Sequence, residues 1–473
     1  MADTQKFALF FGNRGFFPAS LIGSARTEME AAVKRAGYGT LMLDAGATRH
    51  GAVETPAEGL IYADFLKQHA GEYSGVIVCL PNFGDENGAV AALRDAGVPI
   101  LIQAYPDELN KMAPALRRDA FCGKFSIMDV FYQNGMPFTV LNPHTAHPDG
   151  PQFTANLAHF AAVCRVVGGL RRMTVGAIGA RTSAFKTVRI DELALQRNGI
   201  TMETFDLSDV FARIRALDAS SDAYTSKAND LRGYSDFSRT PAAALDTLVR
   251  LGVVLDTLTE ECGLDAIALR CWVEMQQQLG ISPCVLLSEL NNRGKIAACE
   301  VDVGNAVAMY ALSLATKDVA TCLDWNNNYG DDDGKCILFH CGPVPQSMMT
   351  SKGVVTGHAI LENAVGEGCS YGCNIGRIKP TPFSFASMTT QNGNLNFYAG
   401  EGRFTDDPIA EDFFGCAGVA EIPDLQDVLL FVGKNGHRHH VSVSPGNVSL
   451  VLDEALGSYL GFDIALPQGM PAL

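Results

Sequence analysis

Short apolar runs alternate with stretches of helical periodicity through the first part of the chain. KFALFF (6–11), GVIVCL (75–80) and VPILI (98–102) are apolar on both faces, as strands buried in a parallel sheet are. Between them, Met29, Val33 and Ala36 share one face of a helix expected from Ser24 to Gly37, and helix-like stretches cover 57–70 and 86–96. The alternation predicts a doubly wound α/β domain over 1–168. A second one, over 169–310, is predicted from RMTVGAIG (172–179), a helical stretch 188–198, the strand ITMETFDL, a helix over 241–262 and the strand DAIALRC (265–271). The polar segment following ITMETFDL reads as surface helix and loop.

The pattern changes over 311–473. Asn/Gly turns at 326–334, Asn392-Gly393 and Asn435-Gly436 separate the β-like runs KCILFH, PFSFASM, NLNFYAG and DVLLFVG, which predicts an antiparallel, barrel-like β-rich domain. A closing helix is expected over 448–460, with Glu454 on its solvated face. The fold class is therefore α/β: two doubly wound parallel-sheet domains and a C-terminal antiparallel β-rich domain. With 473 residues, the chain is too long for one core.

Charge and composition narrow the function. A formal charge of −16 disfavours nucleic acid and anionic membranes and suits a protein that gathers cations. The start of the chain reads as a first strand rather than a signal peptide, and no uninterrupted apolar stretch reaches membrane-spanning length, so a cytoplasmic location is expected. Thirteen cysteines, an odd number scattered through apolar segments, read as reduced core thiols. Cys369 and Cys373 have no second pair at zinc-ribbon spacing. Neither GxGxxG nor a Walker A sequence follows the first strand, which disfavours a nucleotide cofactor.

Ionisable residues at the ends of apolar elements carry the chemistry. Glu300 stands between an apolar run and the helix-like GNAVAMYALSL, Asp324 follows ATCL, His340 closes KCILFH, and the cluster Gly436-His437-Arg438-His439-His440 precedes VSVS. Singly, these residues fit a helix-terminal carboxylate, a cap, a core histidine and a solvated turn. Jointly, two carboxylates and imidazoles in buried settings point to a divalent cation, because an unpaired buried carboxylate costs several kcal/mol. His439 and His440 are adjacent on a strand and face opposite ways, so both binding one ion is disfavoured.

The segments ACEVDV, CLDWNN and HRHHV, with Glu300 and Asp324 standing 24 residues apart, resemble the metal-binding signature of the L-fucose isomerase and L-arabinose isomerase superfamily. Two further blocks, 175–192 and 382–408, are similar to segments of fucose-isomerase-like proteins. The resemblance implies an aldose–ketose isomerase working through an enediolate. Glu300 and Asp324 then serve both as ligands and as the acid–base pair, His440 ligates the metal and His439 touches substrate. His340 matches the extra histidine ligand of arabinose isomerases. Arg14, after the first strand, corresponds to an arginine that reaches the sugar of a neighbouring subunit, which implies a homo-oligomer, a trimer or hexamer. A site of oxygen donors and imidazole suits Mn²⁺ or another divalent cation. Lys186 and Arg189, in the segment after RMTVGAIG, and Trp272 are further candidates for substrate contact. Substrates in scope are fucose, arabinose, a related aldose, or a sulfonated hexose such as sulfoquinovose, whose anion Arg14, Lys186, Arg189 or Arg438 would meet. A non-catalytic sugar-binding protein and a metal-dependent aldolase are the competing readings.

Overall fold

The computed structural model describes residues 5–469. In the first sheet, strands β1 (Lys6–Phe11), β2 (Gly39–Met42), β3 (Gly75–Leu80) and β4 (Ile100–Ala104) lie in the order β2-β1-β3-β4, all parallel. Apolar side chains leave it on both faces. Ala8, Phe10, Val76 and Val78 join one core, and Phe7, Leu9, Phe11 and Ile77 join the other. The helix Pro151–Leu170 is long and apolar enough to cross a membrane, but its Phe153, Leu157, Phe160 and Cys164 are buried in that second core.

A second parallel sheet contains β5 (Thr174–Ile178), β6 (Thr201–Phe205), β7 (Ala266–Leu269) and β8 (Ile296–Cys299), in the order β6-β5-β7-β8. Nine more strands follow: β9 (Thr321–Tyr329), β10 (Asp332–His340), β11 (Val354–Thr356), β12 (Cys373–Arg377), β13 (Thr381–Gln391), β14 (Asn394–Phe404), β15 (Cys416–Glu421), β16 (His440–Pro445) and β17 (Asp463–Ala465). Six of them close on themselves as β9-β10-β15-β14-β13-β16 and back to β9, every pairing antiparallel. Closure leaves no open edge within this ring. Phe383, Phe385, Tyr398, Phe404, Val441 and Val443 belong to its apolar core.

Two compact units result. One runs to Gly168 and takes in Glu454–Gly461; the other comprises Gly169–Asp453 and the chain from Phe462. Glu454 is not solvated as the sequence suggests: its Oε2 lies 2.7 Å from His159 Nε2 within the first unit. In the second unit the helix Val303–Thr316 is apolar on nearly every side and is accordingly buried, touching β7 and β8 as well as β13 and β16. Residue 310 falls inside this helix.

Some elements differ from expectation. DVLLFVG is helical, within Leu425–Lys434, because Leu425, Val428 and Val432 recur at helical spacing and are buried together. Asn326–Asn328 continue β9, and the reversal comes later, at Gly330 (φ 56°). Ser24 lies inside a helix that begins at Ser20. The helix expected over 188–198 starts only at Glu192, where Asp191 accepts hydrogen bonds from Leu193 N and Ala194 N. The expected closing helix is a single turn, Ser449–Leu452, continued as a π-helix over Asp453–Tyr459.

Candidate metal centre

The centre is built where the C-terminal ends of two neighbouring parallel strands meet the start of a barrel strand, all within the second unit. Strands β7 and β8 end in register at Leu269 and Cys299, and the chain beyond them supplies Trp272 and Glu300. Ligand sites of open parallel sheets form at such strand ends. Glu300 and Val301 both adopt left-handed backbone conformations, with φ of 63° and 59°. For a non-glycine residue, and above all a β-branched one, that geometry is costly, about 1–3 kcal/mol each. It lets the chain pass from β8 into the helix Val303–Thr316 in three residues, so that Glu300 and Asp302 both point at the same imidazole.

That imidazole is His440. Its Nδ1 lies 2.7 Å from Asp302 Oδ2 and its Nε2 lies 2.9 Å from Glu300 Oε2. Asp302 is fully buried and held in place three ways: it pairs with the buried Arg438 guanidinium, accepts from Asn305 N at 3.0 Å and accepts from Asn305 Nδ2 at 2.7 Å. An ionised Asp302 holds a proton on Nδ1, so that Nε2, once it gives up its own proton, turns a lone pair toward Glu300 and Asp324. Asp324 stands opposite His440 across the β9–β16 pairing. Its Oδ1 is 3.4 Å from His440 Nε2, buried and without a hydrogen-bond partner.

Charge follows the geometry. Burial alone would raise Asp302, but Arg438 and the His440 hydrogen bond hold its carboxyl well below the carboxylate range. Burial likewise opposes ionisation of Glu300, and the His440 hydrogen bond outweighs it, so its pKa falls. Burial wins at Asp324, whose pKa rises. His440 is raised well above an ordinary histidine because neighbouring Cys322, Asp302 and Glu300 overcome burial. A single proton on Nε2 satisfies Glu300 and still leaves Asp324 Oδ1 unpaired. A divalent cation beside Nε2 would give Asp324 Oδ1 the partner it lacks. His440 Nε2 is the shared corner: Glu300 Oε2 at 2.9 Å and Asp324 Oδ1 at 3.4 Å each stand near the separation of neighbouring corners, about 3.0 Å, in an octahedral shell with bonds of about 2.1 Å. The close donor groups are Glu300 with His340 and His440, and Asp324 with His439 and His440. The residues therefore fit the ion that the resemblance implies.

The other expected site residues fall into three groups. His340 and His439 lie beside the centre. His340 is grouped closely with Glu300 and His440, but its Nδ1 accepts the Cys341 N–H at 2.9 Å, which places the proton on Nε2, a buried atom without a partner. As oriented, His340 offers the centre a donor rather than a lone pair. His439 stands just before β16; its ring is 45% exposed, its Nε2 is 3.6 Å from Asp324 Oδ1, and its donor atom groups with those of Asp324 and His440 rather than turning away from them as strand alternation predicts. Trp272 donates from Nε1 to Glu300 Oε1 at 2.9 Å. Lys186 and Arg189 are exposed on the segment that carries Phe185, whose ring lies 5.6 Å from Trp272 and 5.5 Å from His439. Arg14 belongs to the first unit, where it pairs with Glu86, donates to Gly84 O and stacks on Phe83 at 4.3 Å. Arg438 is committed to Asp302 and is not available to an anion.

Glu300, Asp324, Trp272, His340 and His358 help line a cavity of about 340 Å³, together with Phe339, Ile360 and Leu361. Asp302 and His358 are absent from the sequence-based candidates, whereas Phe185 lies on the segment ARTSAFKTVR, already read as able to supply a ligand contact. Asp302 alone left a signal, an aspartate directly before an apolar helix, which marks an N-cap.

Two family models match the chain: "Fucose/sulfoquinovose isomerase, N-terminal domain" over residues 8–171 and "L-fucose isomerase, C-terminal domain" over 338–466. Glu300 and Asp324 fall between the two matches. A protein of Alkalicoccus urumqiensis named sulfoquinovose isomerase is 22% identical over 59% of this chain and 61% of its own length. One of the same name from Priestia aryabhattai is 22% identical over 80% of this chain and 82% of its own. Among solved structures, an ABC transporter solute-binding protein of Burkholderia multivorans covers 67% of this chain and 95% of its own at 8% identity, but a TM-score of 0.18 carries no structural argument.

Proposed function

This chain belongs to the fucose and sulfoquinovose isomerase family, and we propose that it is a divalent-metal-dependent aldose–ketose isomerase acting on an open-chain monosaccharide. The observation that carries the reading is His440, with Nδ1 fixed by Asp302 and Nε2 aimed between Glu300 and Asp324. Glu300, Asp324 and His440 would hold the ion, and their two carboxylates and one imidazole suit Mn²⁺. A bound divalent cation supplies electrophilic stabilisation of negative charge on neighbouring sugar oxygens.

The chain's own groups do the rest. Isomerisation moves a hydrogen between C1 and C2 by way of an enediolate, which needs one group to take a proton and one to return it. Glu300, held ionised by His440, is suited to accept it, and Asp324, whose pKa burial raises, is suited to donate. Trp272 fixes the second oxygen of Glu300. His439, half exposed beside the pair, presents an imidazole to substrate hydroxyls, and Phe185 supplies an apolar wall. The cavity lining includes neither lysine nor arginine, so a sulfonated substrate would draw its cation from Lys186 or Arg189 on the neighbouring segment.

Copies of the chain associate in this reading, as trimers or hexamers, with Arg14 serving a neighbouring copy's sugar. Phe121, Phe125 and Tyr132, which are 53%, 54% and 81% exposed on the helix Ala120–Gln133, offer apolar surface for it.

The test is a screen of aldoses, including L-fucose, L-arabinose and sulfoquinovose, with Mn²⁺ in D₂O, read by NMR. Conversion to the ketose with deuterium entering at C1, and at C2 of aldose re-formed by the reverse reaction, is expected. Cleavage into shorter fragments would instead identify an aldolase, and tight sugar binding indifferent to chelators would identify a binding protein.

A further inference from the structure

Beneath the carboxylate centre lies a group of thiols that the proposed reaction does not use. Cys284 Sγ is 3.4 Å from Cys341 Sγ and 3.8 Å from Cys373 Sγ. Cys299 in turn contacts both Cys341 and Cys271. All five are buried. They come from distant parts of the chain, yet three of them, Cys271, Cys284 and Cys341, line the same cavity as Glu300.

His340 joins this group to the other. Its Nδ1 is 3.2 Å from Cys341 Sγ, and Cys299, His340 and Cys341 offer donor atoms that all lie within 4.8 Å of one another. The same ring is grouped on its other side with Glu300 and His440. Sulfur and imidazole are the donor set of soft and borderline cations, as carboxylate oxygen is of hard ones. Thiolates bound at about 2.3 Å to one tetrahedral ion stand about 3.8 Å apart. Among the proposed ligands, Cys284 Sγ and Cys341 Sγ stand 3.4 Å apart, already close to that value.

We propose that Cys299, Cys341 and His340 Nδ1, with Cys284 at the fourth corner, form a second cation site, for a thiophilic d¹⁰ ion such as Zn²⁺ or Cd²⁺. Binding involves no oxidation. Each ligating thiol gives up its proton to solvent as its sulfur bonds the ion, and His340 Nδ1 exchanges the Cys341 N–H for the metal. Because one imidazole borders both sites, the sulfur site fixes which way His340 faces the carboxylates. The inference does not depend on the isomerase reading.

The experiment titrates the whole protein with Cd²⁺ after loading with Mg²⁺, following thiolate-to-cadmium absorbance and the ¹¹³Cd NMR resonance. One Cd²⁺ per chain is expected, at a shift of mixed sulfur and nitrogen coordination, with Mg²⁺ retained. Replacing the two exposed cysteines, Cys122→Ser with Cys262→Ser, leaves binding unchanged. Cys299→Ser with Cys341→Ser weakens it at least tenfold. A resonance typical of oxygen ligands alone, displacement of Mg²⁺ one for one without absorbance, or undiminished binding in the Cys299→Ser/Cys341→Ser variant overturns the site. Should that variant fail to fold, the wild-type resonance decides by itself.

Discussion

At the scale of single residues, the account turns on Asp302. A carboxylate that orients a ligating histidine commonly governs metal affinity 10–100-fold. Asp302→Asn is therefore expected to weaken Mn²⁺ binding by that order in a calorimetric or paramagnetic titration, with the secondary structure intact. The pH dependence has a definite sign. Asp302 is held below its unfolded pKa, so its contribution to stability is complete above the ordinary carboxylate range and is lost as pH falls through and below it. Acid unfolding of Asp302→Asn should accordingly be less steep than that of the parent. His440 holds a proton strongly when no metal is present, so Mn²⁺ must displace it and Mn²⁺ affinity should rise with pH. Removing the other half of the buried pair, Arg438→Met, should cost about 3–5 kcal/mol in denaturant unfolding, since Asp302 would be left with an uncompensated charge. Glu300, Asp324 and the HRHH cluster could be read from the sequence because ionisable residues at the ends of apolar runs are conspicuous. Asp302 could not be singled out: next to a helix start it is indistinguishable from an ordinary cap, and only the fold reveals the histidine 138 residues away.

Elements were legible in proportion to how many of their faces are buried. The inner strands of the parallel sheets, β1, β3, β5 and β7, with β4 and β8, are buried on each side and stand out in the sequence, as do β13 and β14, whereas the edge strands β2 and β6 are half-buried or exposed. DVLLFVG does not, because a short apolar run satisfies a strand and a buried helix alike, and only the exposure of Leu430 against the burial of Val428 and Val432 separates them. The left-handed turn at Glu300 and Val301 has no sequence signature, as neither residue favours it. The barrel should tolerate little loss of packing: Phe404 is fully buried with its ring 4.4 Å from that of Phe383. Phe404→Ala is expected to cost about 3–5 kcal/mol, measured as a fall in the denaturation midpoint.

For the whole molecule, the central claim is that one side chain after a parallel strand, Glu300, and two from the barrel, Asp324 and His440, share one divalent ion on which turnover depends. Stripping divalent cations with a chelator should abolish isomerisation, and adding Mn²⁺ should restore it. The most direct measurement is anomalous X-ray diffraction from crystals of the protein soaked in Mn²⁺. A single manganese peak within bonding distance of Glu300, Asp324 and His440 Nε2 is the predicted result. A crystal in which the manganese lies elsewhere, or in which these three side chains bind no ion at a concentration that supports turnover, would contradict the account.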